Sequence, residues 1–299
     1  MGSGHVLSVR ESGRSDGVAA VVLHGGPGSG CSPLLRRFFD PARYRIVCID
    51  QRGAGDSRPR GSVVDNTTAH LLHDLSRVRE QLGLARWLVV GGSWGATLAI
   101  AHAIDDSAAV SALLLRAVFL ARPSDLATFF DPRAFGDNIA ADSAALLAAL
   151  AERLQHPSAD VRRACALAWW RHEQQMASPT PVSPDARPAD LEAQVDRYRV
   201  QAHYMRHGCW VQQPPLLARC SGVPARPTLI LQGRDDRICP PDGARALHAV
   251  LPHARLRELA GVGHDPSHPA MVDAMVRALD AYADRGSFDD AHAATEGRA

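Results

Sequence analysis

The stretch that most constrains the fold of this chain is Gly-Gly-Ser-Trp-Gly at residues 91–95. A short apolar and β-branched strand pattern at residues 86–91 leads into it, and a helix pattern beginning at Ala96 follows it. Strand, Gly-x-Ser-x-Gly and helix together predict a tight turn that exposes the Ser93 hydroxyl, with glycines on both sides because a Cβ there would clash. Chance produces such a pentapeptide in roughly one chain in ten of this length, so the surrounding sequence must decide whether Ser93 is a nucleophile.

A glycine-rich loop lies upstream of Ser93. A buried strand pattern at residues 19–23 leads into His-Gly-Gly-Pro-Gly-Ser-Gly at residues 24–30. A loop of this kind is expected to give the backbone N–H of Gly26 to an oxyanion hole, and Trp94 is expected to give the second N–H. The alternative is a phosphate-binding loop, which is disfavoured because neither a Lys-Ser/Thr pair nor a Gly-x-Gly-x-x-Gly motif follows.

Two later strands lead into the acid and the imidazole that such a serine needs. One strand pattern precedes Asp235 and Asp236, and the next precedes His264. The chain order Ser…Asp…His is that of the α/β-hydrolases, and each candidate follows the carboxyl end of a strand, where open α/β sheets gather their sites. We therefore expect Ser93, one of the two aspartates and His264 to form a catalytic triad.

Composition excludes several other classes of function. The chain has 33 arginines and no lysine. The absence of lysine excludes Schiff-base chemistry, PLP attachment, Walker-type phosphate loops and Ser-Lys dyads. The six cysteines form no C-x-x-C pair, so we expect neither a disulfide framework nor a metal site, and a triad needs no cofactor. A net charge of +1 does not favour nucleic-acid binding.

No pattern for export or for a membrane is present in the chain. Residues 1–10 lack a basic segment followed by an apolar one, the arrangement typical of a signal peptide. No apolar run approaches the length of a membrane span. We therefore expect a cytoplasmic protein that does not act at a membrane.

Strand and helix patterns alternate in two separate parts of the chain. The first part contains a helix pattern at residues 68–82 and strand patterns near residues 6–9, 19–23, 45–50, 87–90 and 112–117. Such alternation predicts an α/β class with a mainly parallel central sheet that helices cover on both faces. We predict a first core part at residues 1–120, a helical cap at 121–223, a second core part at 224–285 and a disordered tail at 286–299.

Several stretches of the chain resemble the proline iminopeptidases, which are serine exopeptidases of the α/β-hydrolase fold. The similar stretches include Leu-His-Gly-Gly-Pro-Gly-Ser-Gly at 23–30, Asp-Gln-Arg-Gly-Ala-Gly-Asp-Ser at 50–57, Asn-Thr-Thr at 66–68, Gly-Gly-Ser-Trp-Gly-Ala-Thr-Leu-Ala at 91–99, Gly-Arg-Asp-Asp-Arg-Ile-Cys-Pro at 233–240 and Gly-Val-Gly-His at 261–264. The resemblance spans nearly all of the predicted core. It implies Asp236 rather than Asp235 as the triad acid, because the family pattern reads Gly-Arg-x-Asp-x-x-Cys-Pro.

The resemblance also implies which residues bind the substrate, and it is weaker in the predicted cap. Two cap glutamates of the family hold the free α-ammonium of the substrate; the first matches Glu173, whereas the second is Gln201 in this chain. A family tryptophan beside Glu173 is His172 here. Because a charge-assisted hydrogen bond is about twice as strong as a neutral one, Gln201 implies a weaker hold on an ammonium. The implied substrate-binding residues are Gly25, Phe129, Glu173, Gln201 and Cys239.

Three hypotheses for the function follow. The leading one is a serine hydrolase that removes N-terminal proline, or a similar small residue, from a short peptide or amide through an acyl-enzyme. Gln201 motivates the second, an esterase, thioesterase or amidase that acts on a specialised metabolite without a free amine. The third is a catalytically inactive hydrolase fold that serves as a binding or scaffold protein. The presence of Ser93, Asp236, His264 and the glycine-rich loop argues against the third.

Overall fold

A seven-stranded sheet lies at the centre of the computed structural model, which describes residues 4–135, 140–177, 183 and 185–288. The strands in chain order are β1 (Ser8–Gly13), β2 (Val18–Leu23), β3 (Tyr44–Asp50), β4 (Trp87–Ser93), β5 (Val110–Val118), β6 (Thr228–Gly233) and β7 (Ala254–Leu259). Their order across the sheet is β1-β3-β2-β4-β5-β6-β7. β1 runs antiparallel to β3, and the other pairings are parallel. The predicted α/β class with a mainly parallel sheet is confirmed.

The helices of the core cover both faces of the sheet. On one face lie α2 (Thr68–Gln81), α3 (Trp94–Asp105) and α8 (Pro241–Val250); on the other lie α1 (Pro33–Arg36) and α9 (Pro269–Arg285). Successive residues of β2 point to opposite faces, so that Val21 packs into one apolar cluster and Val22 into the other. A strand buried on both faces needs a nearly continuous apolar sequence, which is what β2, β4 and β5 have.

β1 differs from the strand predicted near residues 6–9. It begins at Ser8 and ends at Gly13, because it pairs along the whole of β3, from Ser8 opposite Asp50 to Gly13 opposite Arg45. Val6 makes only an isolated bridge to Arg58, and its side chain is 69% exposed. The length of this strand is therefore determined by its partner, which the apolar pattern of residues 6–9 does not report.

Between β5 and β6 the described residues form helices and no strand. We call this helical segment the cap; its helices are α4 (Pro123–Phe129), α5 (Ser143–Arg153), α6 (Ala159–Ala177) and α7 (Leu191–Arg206). The rings of Trp169 on α6 and Tyr198 on α7 stack with their centroids 4.9 Å apart, and both side chains are fully buried. The cap therefore has an apolar interior of its own. The predicted domain boundaries stay a prediction.

The C-terminal end of the described chain packs against α9. Gly286 ends this helix in the left-handed conformation, and the ring of Phe288 stacks on Tyr282 with a centroid distance of 5.2 Å. Residues 289–299, most of the tail predicted to be disordered, lie outside the described residues. Of the helices described, none is both long enough and apolar enough to cross a membrane.

Candidate active site

Ser93 lies at the junction of β4 and α3, in a backbone conformation that an L-residue rarely adopts. Its φ is 57° and its ψ is −125°, and such conformations cost about 1–3 kcal/mol and concentrate at functional sites. A Cβ on Gly91 would lie 2.2 Å from the carbonyl oxygen of Gly95, and a Cβ on Gly95 would lie 2.0 Å from that of Leu23. Both glycines of the motif are therefore required by close backbone contacts.

His264 and Asp236 form a hydrogen-bonded pair beside this turn. His264 Nδ1 lies 2.8 Å from Asp236 Oδ2. The other carboxylate oxygen accepts the backbone N–H groups of Ile238 and Cys239, at 3.0 and 2.8 Å. Asp235, by contrast, is exposed. An aspartate at Nδ1 favours the tautomer in which Nε2 is the basic nitrogen, which is the form that can take a proton from a serine.

The Asp236 carboxylate is stabilised in its ionised form. Burial alone would raise the pKa of Asp236, but the neighbouring imidazole of His264, the hydrogen bonds to the carboxylate and the charge of Arg116 together hold its pKa below the usual value. Arg116, on β5, also donates from Nη1 to the carbonyl oxygen of His264 at 3.0 Å. Sequence reasoning missed Arg116, since a lone arginine in an apolar strand pattern gives no sign of what it faces.

The Ser93 hydroxyl points toward a thiol. Among the described residues, Ser93 Oγ makes one side-chain contact of hydrogen-bond type, to Cys239 Sγ at 3.8 Å, and none to His264. Burial raises the pKa of the Cys239 thiol far above its usual value, so the sulfur is uncharged. Catalytic hydrogen bonds are often long in the absence of substrate. The structure thus forms the His–Asp contact of a triad and leaves the Ser–His contact open.

The glycine-rich loop passes directly over Ser93. A Cβ on Gly25 would lie 3.4 Å from Ser93 Cβ, so a side chain there would fill the space above the hydroxyl. Gly26 has a φ of +110°, a value suited to glycine. Further along the loop, a Cβ on Gly28 would lie 2.6 Å from the carbonyl oxygen of Arg197. Helix α7 of the cap therefore rests on the loop, backbone against backbone.

Gln51 joins the glycine-rich loop to the serine turn. Its Nε2 donates to the carbonyl oxygen of His24 at 3.0 Å, and its Oε1 accepts from Trp94 Nε1 at 2.8 Å. Its backbone N–H donates to His24 Nε2 at 3.0 Å. Burial lowers the pKa of His24, so this imidazole is neutral and able to accept. Both partners belong to motifs noted in the sequence, but their spacing along the chain does not show that they meet.

Asp50 and Arg52, the other two residues of the Asp-Gln-Arg motif, hold neighbouring segments and do not line the cavity described below. The carboxylate of Asp50 accepts the backbone N–H groups of Cys31 at 2.6 Å and of Asp56 at 3.0 Å. Arg52 forms a two-point ion pair with Asp74 of α2, with distances of 2.6 and 2.8 Å. Gln51 and Asp50 of this motif therefore contact the two ends of the glycine-rich loop, at His24 and Cys31, whereas Arg52 connects the motif to α2.

A cavity of about 1150 Å³ lies between the cap and the carboxyl ends of the strands. Every site residue that the sequence predicted lines this cavity except Trp94, whose side chain is fully buried in the core. The predicted residues that line it are Gly25, Gly26, Ser93, Phe129, Glu173, Gln201, Asp236, Cys239 and His264. The structure thus brings the core candidates and the cap candidates to one space.

Glu173 lies at the cap side of the cavity and is surrounded by hydrogen-bond donors. Its Oε2 accepts from Arg197 Nη2 and from the Tyr198 hydroxyl, each at 2.8 Å, and its Oε1 accepts from Gln201 Nε2 at 3.3 Å. We call these four residues the Glu173 cluster. Sequence reasoning missed Arg197 and Tyr198. One signal could have found Arg197, because it precedes Gln201 by four residues and so shares its helix face.

His172 supports Phe129 and does not line the cavity. Its Nε2 lies 2.8 Å from the carbonyl oxygen of Phe129, and its ring packs against the rings of Phe129 and Phe135. Burial lowers the pKa of His172, which favours a neutral ring. The replacement of the family tryptophan at this position therefore keeps an aromatic contact behind the cavity wall.

No group of three or more His, Cys, Asp or Glu side chains able to hold a metal ion occurs within the described ranges. The chemistry that the residues around the cavity can perform is acyl transfer. A serine in an exposed turn, an imidazole paired with a buried carboxylate, and a glycine-rich loop over the hydroxyl are the parts that this chemistry requires.

Comparison with known proteins agrees with this geometry. A family model described as the alpha/beta hydrolase fold matches residues 20–269, which defines the class of the protein as an α/β hydrolase. Two solved structures are similar in fold. One is an alpha/beta hydrolase enzyme from a deep-sea metagenome library, with a TM-score of 0.65 and 16% identity over 92% of this chain and 94% of that one. The other belongs to a study of epoxide hydrolases from hot environments, with a TM-score of 0.63 and 20% identity over 94% and 95%.

Relatives of known name are more similar in sequence. The proline iminopeptidase of Xanthomonas citri is 39% identical in an alignment that covers 93% of each chain. That of Neisseria meningitidis serogroup B is 37% identical, with 92% of each chain covered, and that of Arabidopsis thaliana is 36% identical, with 91% of this chain and 75% of the relative covered. The chain belongs to the proline iminopeptidase family of α/β hydrolases.

Proposed function

We propose that this protein is a serine aminopeptidase that releases N-terminal proline from peptides. The observation that carries the proposal is that Ser93, the Asp236–His264 pair and the buried carboxylate of Glu173 line one cavity. A nucleophile facing a site that can hold a cation matches a substrate whose scissile carbonyl lies close to a protonated amine. Membership in a family whose relatives are named proline iminopeptidases supports the same substrate.

In the first half of the proposed reaction, Ser93 Oγ attacks the carbonyl carbon of the N-terminal residue. His264 Nε2 takes the hydroxyl proton, and Asp236 stabilises the imidazolium that forms. The negative charge that develops on the carbonyl oxygen is met by the backbone N–H groups of Gly26 and Trp94, each worth about 3 kcal/mol in the barrier. No proton leaves the site during this step.

In the second half, the tetrahedral intermediate collapses and the bond to the leaving amine breaks. His264 gives its proton to that amine, which leaves as the new N-terminus of the shortened peptide. A water molecule then loses a proton to His264 and attacks the carbonyl carbon of the acyl-enzyme. When this second tetrahedral intermediate collapses, His264 returns the proton to Ser93 Oγ and free proline is released. The residues supply every proton transfer that the cycle requires.

Two parts of the cavity wall support recognition of the N-terminal residue. Glu173 Oε1 and Gln201 Oε1 are acceptors for the two N–H bonds of a protonated prolyl amine; Gln201 Oε1 is buried and has no hydrogen-bond partner among the described residues. The side chains of Phe129 and Cys239 line the cavity and are 7% and 3% exposed. They provide an apolar surface against which a pyrrolidine ring can pack. A small apolar wall beside an acceptor pair favours proline over larger residues.

The test is a panel of arylamides that carry prolyl, alanyl and leucyl groups. We expect the prolyl compound to have the highest kcat/KM and Ser93→Ala to lower turnover by about 10³-fold or more while the fold is retained. Ser107→Ala, which replaces an exposed serine, is the matched control and should leave the rates unchanged. A wild-type protein that hydrolyses no prolyl arylamide contradicts the proposal.

One observation favours a second candidate function, an esterase or amidase for acyl groups without a free amine. Arg197 already pairs with Glu173, and Gln201 adds no charge, so the Glu173 cluster is close to neutral overall. A simple acyl ester added to the same panel separates the two candidates. Efficient hydrolysis of that ester together with inert prolyl arylamides would establish the second candidate in place of the first.

A further inference from the structure

Arg197 is the residue of the Glu173 cluster whose presence changes what the cavity can bind. It lies on α7 and lines the cavity together with Ser93. Its Nη2 donates to Glu173 Oε2 at 2.8 Å, and its guanidinium lies over the ring of Tyr198, 5.0 Å from the centroid. A salt bridge and a ring contact hold the guanidinium in one place.

The charge of the cluster follows directly from these contacts. Glu173 contributes one negative charge and Arg197 one positive charge, while Gln201 and the Tyr198 hydroxyl contribute none; burial raises the pKa of Tyr198 far above its usual value. The sum is zero. An ammonium group that enters this space is attracted by Glu173 and repelled by Arg197, whose Nη2 lies 2.8 Å from that carboxylate, so its charge gains less than it would beside an unpaired carboxylate.

The hydrogen-bonding capacity of the cluster leads to the same result. Two donors already fill Glu173 Oε2, and a third takes one of the two acceptor positions of Oε1. The acceptor in the cluster that has no hydrogen-bond partner is Gln201 Oε1, which is uncharged. A neutral acceptor discriminates between an ammonium and an uncharged group much less than a carboxylate does.

We propose that Arg197 determines the acyl-group specificity of this protein. By pairing with Glu173, it removes most of the advantage of a free amine, so the cavity accepts α-amino acyl groups and amine-free cyclic acyl groups of the same shape. The proposal rests on the proposed function, in that the acyl group of the substrate lies between Ser93 and the Glu173 cluster.

The experiment compares two substrates that differ only in the amine, prolyl arylamide and cyclopentanecarbonyl arylamide. The quantity measured is the ratio of their kcat/KM values. We expect a ratio within about tenfold of one for the wild type, and a ratio about tenfold higher for Arg197→Met, mostly through a lower KM for the prolyl substrate. Arg197→Lys keeps the charge and should keep the wild-type ratio.

Arg199→Met is the matched control. Arg199 lies two residues further along α7 and contacts Asp196 and the carbonyl oxygen of Leu154 in place of Glu173. This variant should leave the ratio unchanged. Arg197→Gln, which removes the charge but keeps hydrogen-bond donors, repeats the test if Arg197→Met does not fold, as judged by its circular dichroism spectrum and thermal unfolding.

A binding measurement separates this proposal from the proposed function. In the Ser93→Ala background, calorimetry with prolinamide and cyclopentanecarboxamide gives the ratio of affinities without any turnover. A wild type that is inert toward prolyl arylamide contradicts the aminopeptidase function, yet the change in this ratio on Arg197→Met still tests Arg197. An unchanged or lower ratio for the uncharged variants, in rates or in binding, overturns the proposal.

Discussion

Trp94 Nε1 donates a hydrogen bond to Gln51 Oε1 at 2.8 Å, and the other end of the same amide donates to the carbonyl oxygen of His24 at 3.0 Å. One buried side chain therefore connects the residue after the nucleophile to the start of the glycine-rich loop. These are the two segments whose backbone N–H groups we propose as the oxyanion hole. Their relative position depends on Gln51.

Gln51→Leu should lower both stability and turnover. It leaves the Trp94 N–H and the His24 carbonyl buried without partners, at a cost of about 1–3 kcal/mol each. Chemical denaturation and kcat on the best substrate measure the two effects. Gln155→Leu, which removes an exposed glutamine with one hydrogen bond of 3.3 Å, is the control and should change neither. A Gln51→Leu protein with wild-type kcat would show that Gln51 does not position the donors.

Gly95→Ala should prevent folding. The added Cβ would lie 2.0 Å from the carbonyl oxygen of Leu23, and a backbone atom cannot rotate out of the way. We expect destabilisation of more than about 4 kcal/mol, seen as loss of soluble protein or of the unfolding transition. At Gly263, where the nearest atom would be 3.6 Å away, alanine should be tolerated. Equal stability of the two variants would contradict the close contact at Gly95.

His102 should make stability depend on pH. It is fully buried, its Nε2 accepts from Trp87 Nε1 at 3.2 Å, and burial lowers its pKa to about 4. Between an unfolded-state pKa of about 6.5 and this value, the unfolded chain binds the proton and the folded protein does not. The contribution of His102 to stability is therefore complete above pH 6.5, and about 3 kcal/mol is lost as the pH falls through 4.

The measurement is the free energy of unfolding from pH 7 to pH 4 for the wild type and for His102→Gln. Glutamine keeps an acceptor for the indole N–H but does not titrate, so the variant should lose less stability than the wild type over this range. Other groups titrate in both proteins and cancel in the difference. Parallel curves for the two proteins would show that His102 is not the titrating group.

Gln201→Glu should strengthen the binding of an amine. A second carboxylate beside Glu173 lowers stability without ligand, because like charges are brought together, and improves the affinity for prolinamide by about fivefold. Glu173→Gln should act in the opposite direction, since it leaves Arg197 without its carboxylate. Calorimetry in the Ser93→Ala background measures both. If Gln201→Glu weakened prolinamide binding and improved that of cyclopentanecarboxamide, Gln201 would be serving an amine-free acyl group.

The core of the fold could be predicted from the sequence because its signals are local. The turn at Ser93, the glycine-rich loop and the strands that lead into Asp236 and His264 each occupy a short stretch with its own pattern. The parallel sheet follows from the alternation of apolar strands and helices. The strand predicted near residues 6–9 begins two residues later in the structure, at Ser8, because the length of β1 depends on its pairing with β3 and not on its own pattern.

The partners of the site residues could not be predicted in the same way. Arg197 meets Glu173 across 24 residues, Gln51 meets His24 across 27, and Arg116 meets His264 across 148. Such contacts are made by packing of whole elements, and no pattern within one element records them. The pairing of Arg197 with Glu173 is also the feature that most changes the expected specificity, so the sequence alone shows the chemistry better than the substrate.

The backbone contact between α7 and the glycine-rich loop limits how the parts of this protein can be exchanged. A Cβ on Gly28 would lie 2.6 Å from the carbonyl oxygen of Arg197 and 3.1 Å from Val200 Cβ, so the loop has no room for a side chain where α7 contacts it. In a chimera that carries the cap of a relative, we expect the distance between α7 and the loop to change slightly and the N–H of Gly26 to shift with the loop. The unit that can be swapped between members of the family is therefore the cap together with residues 24–30.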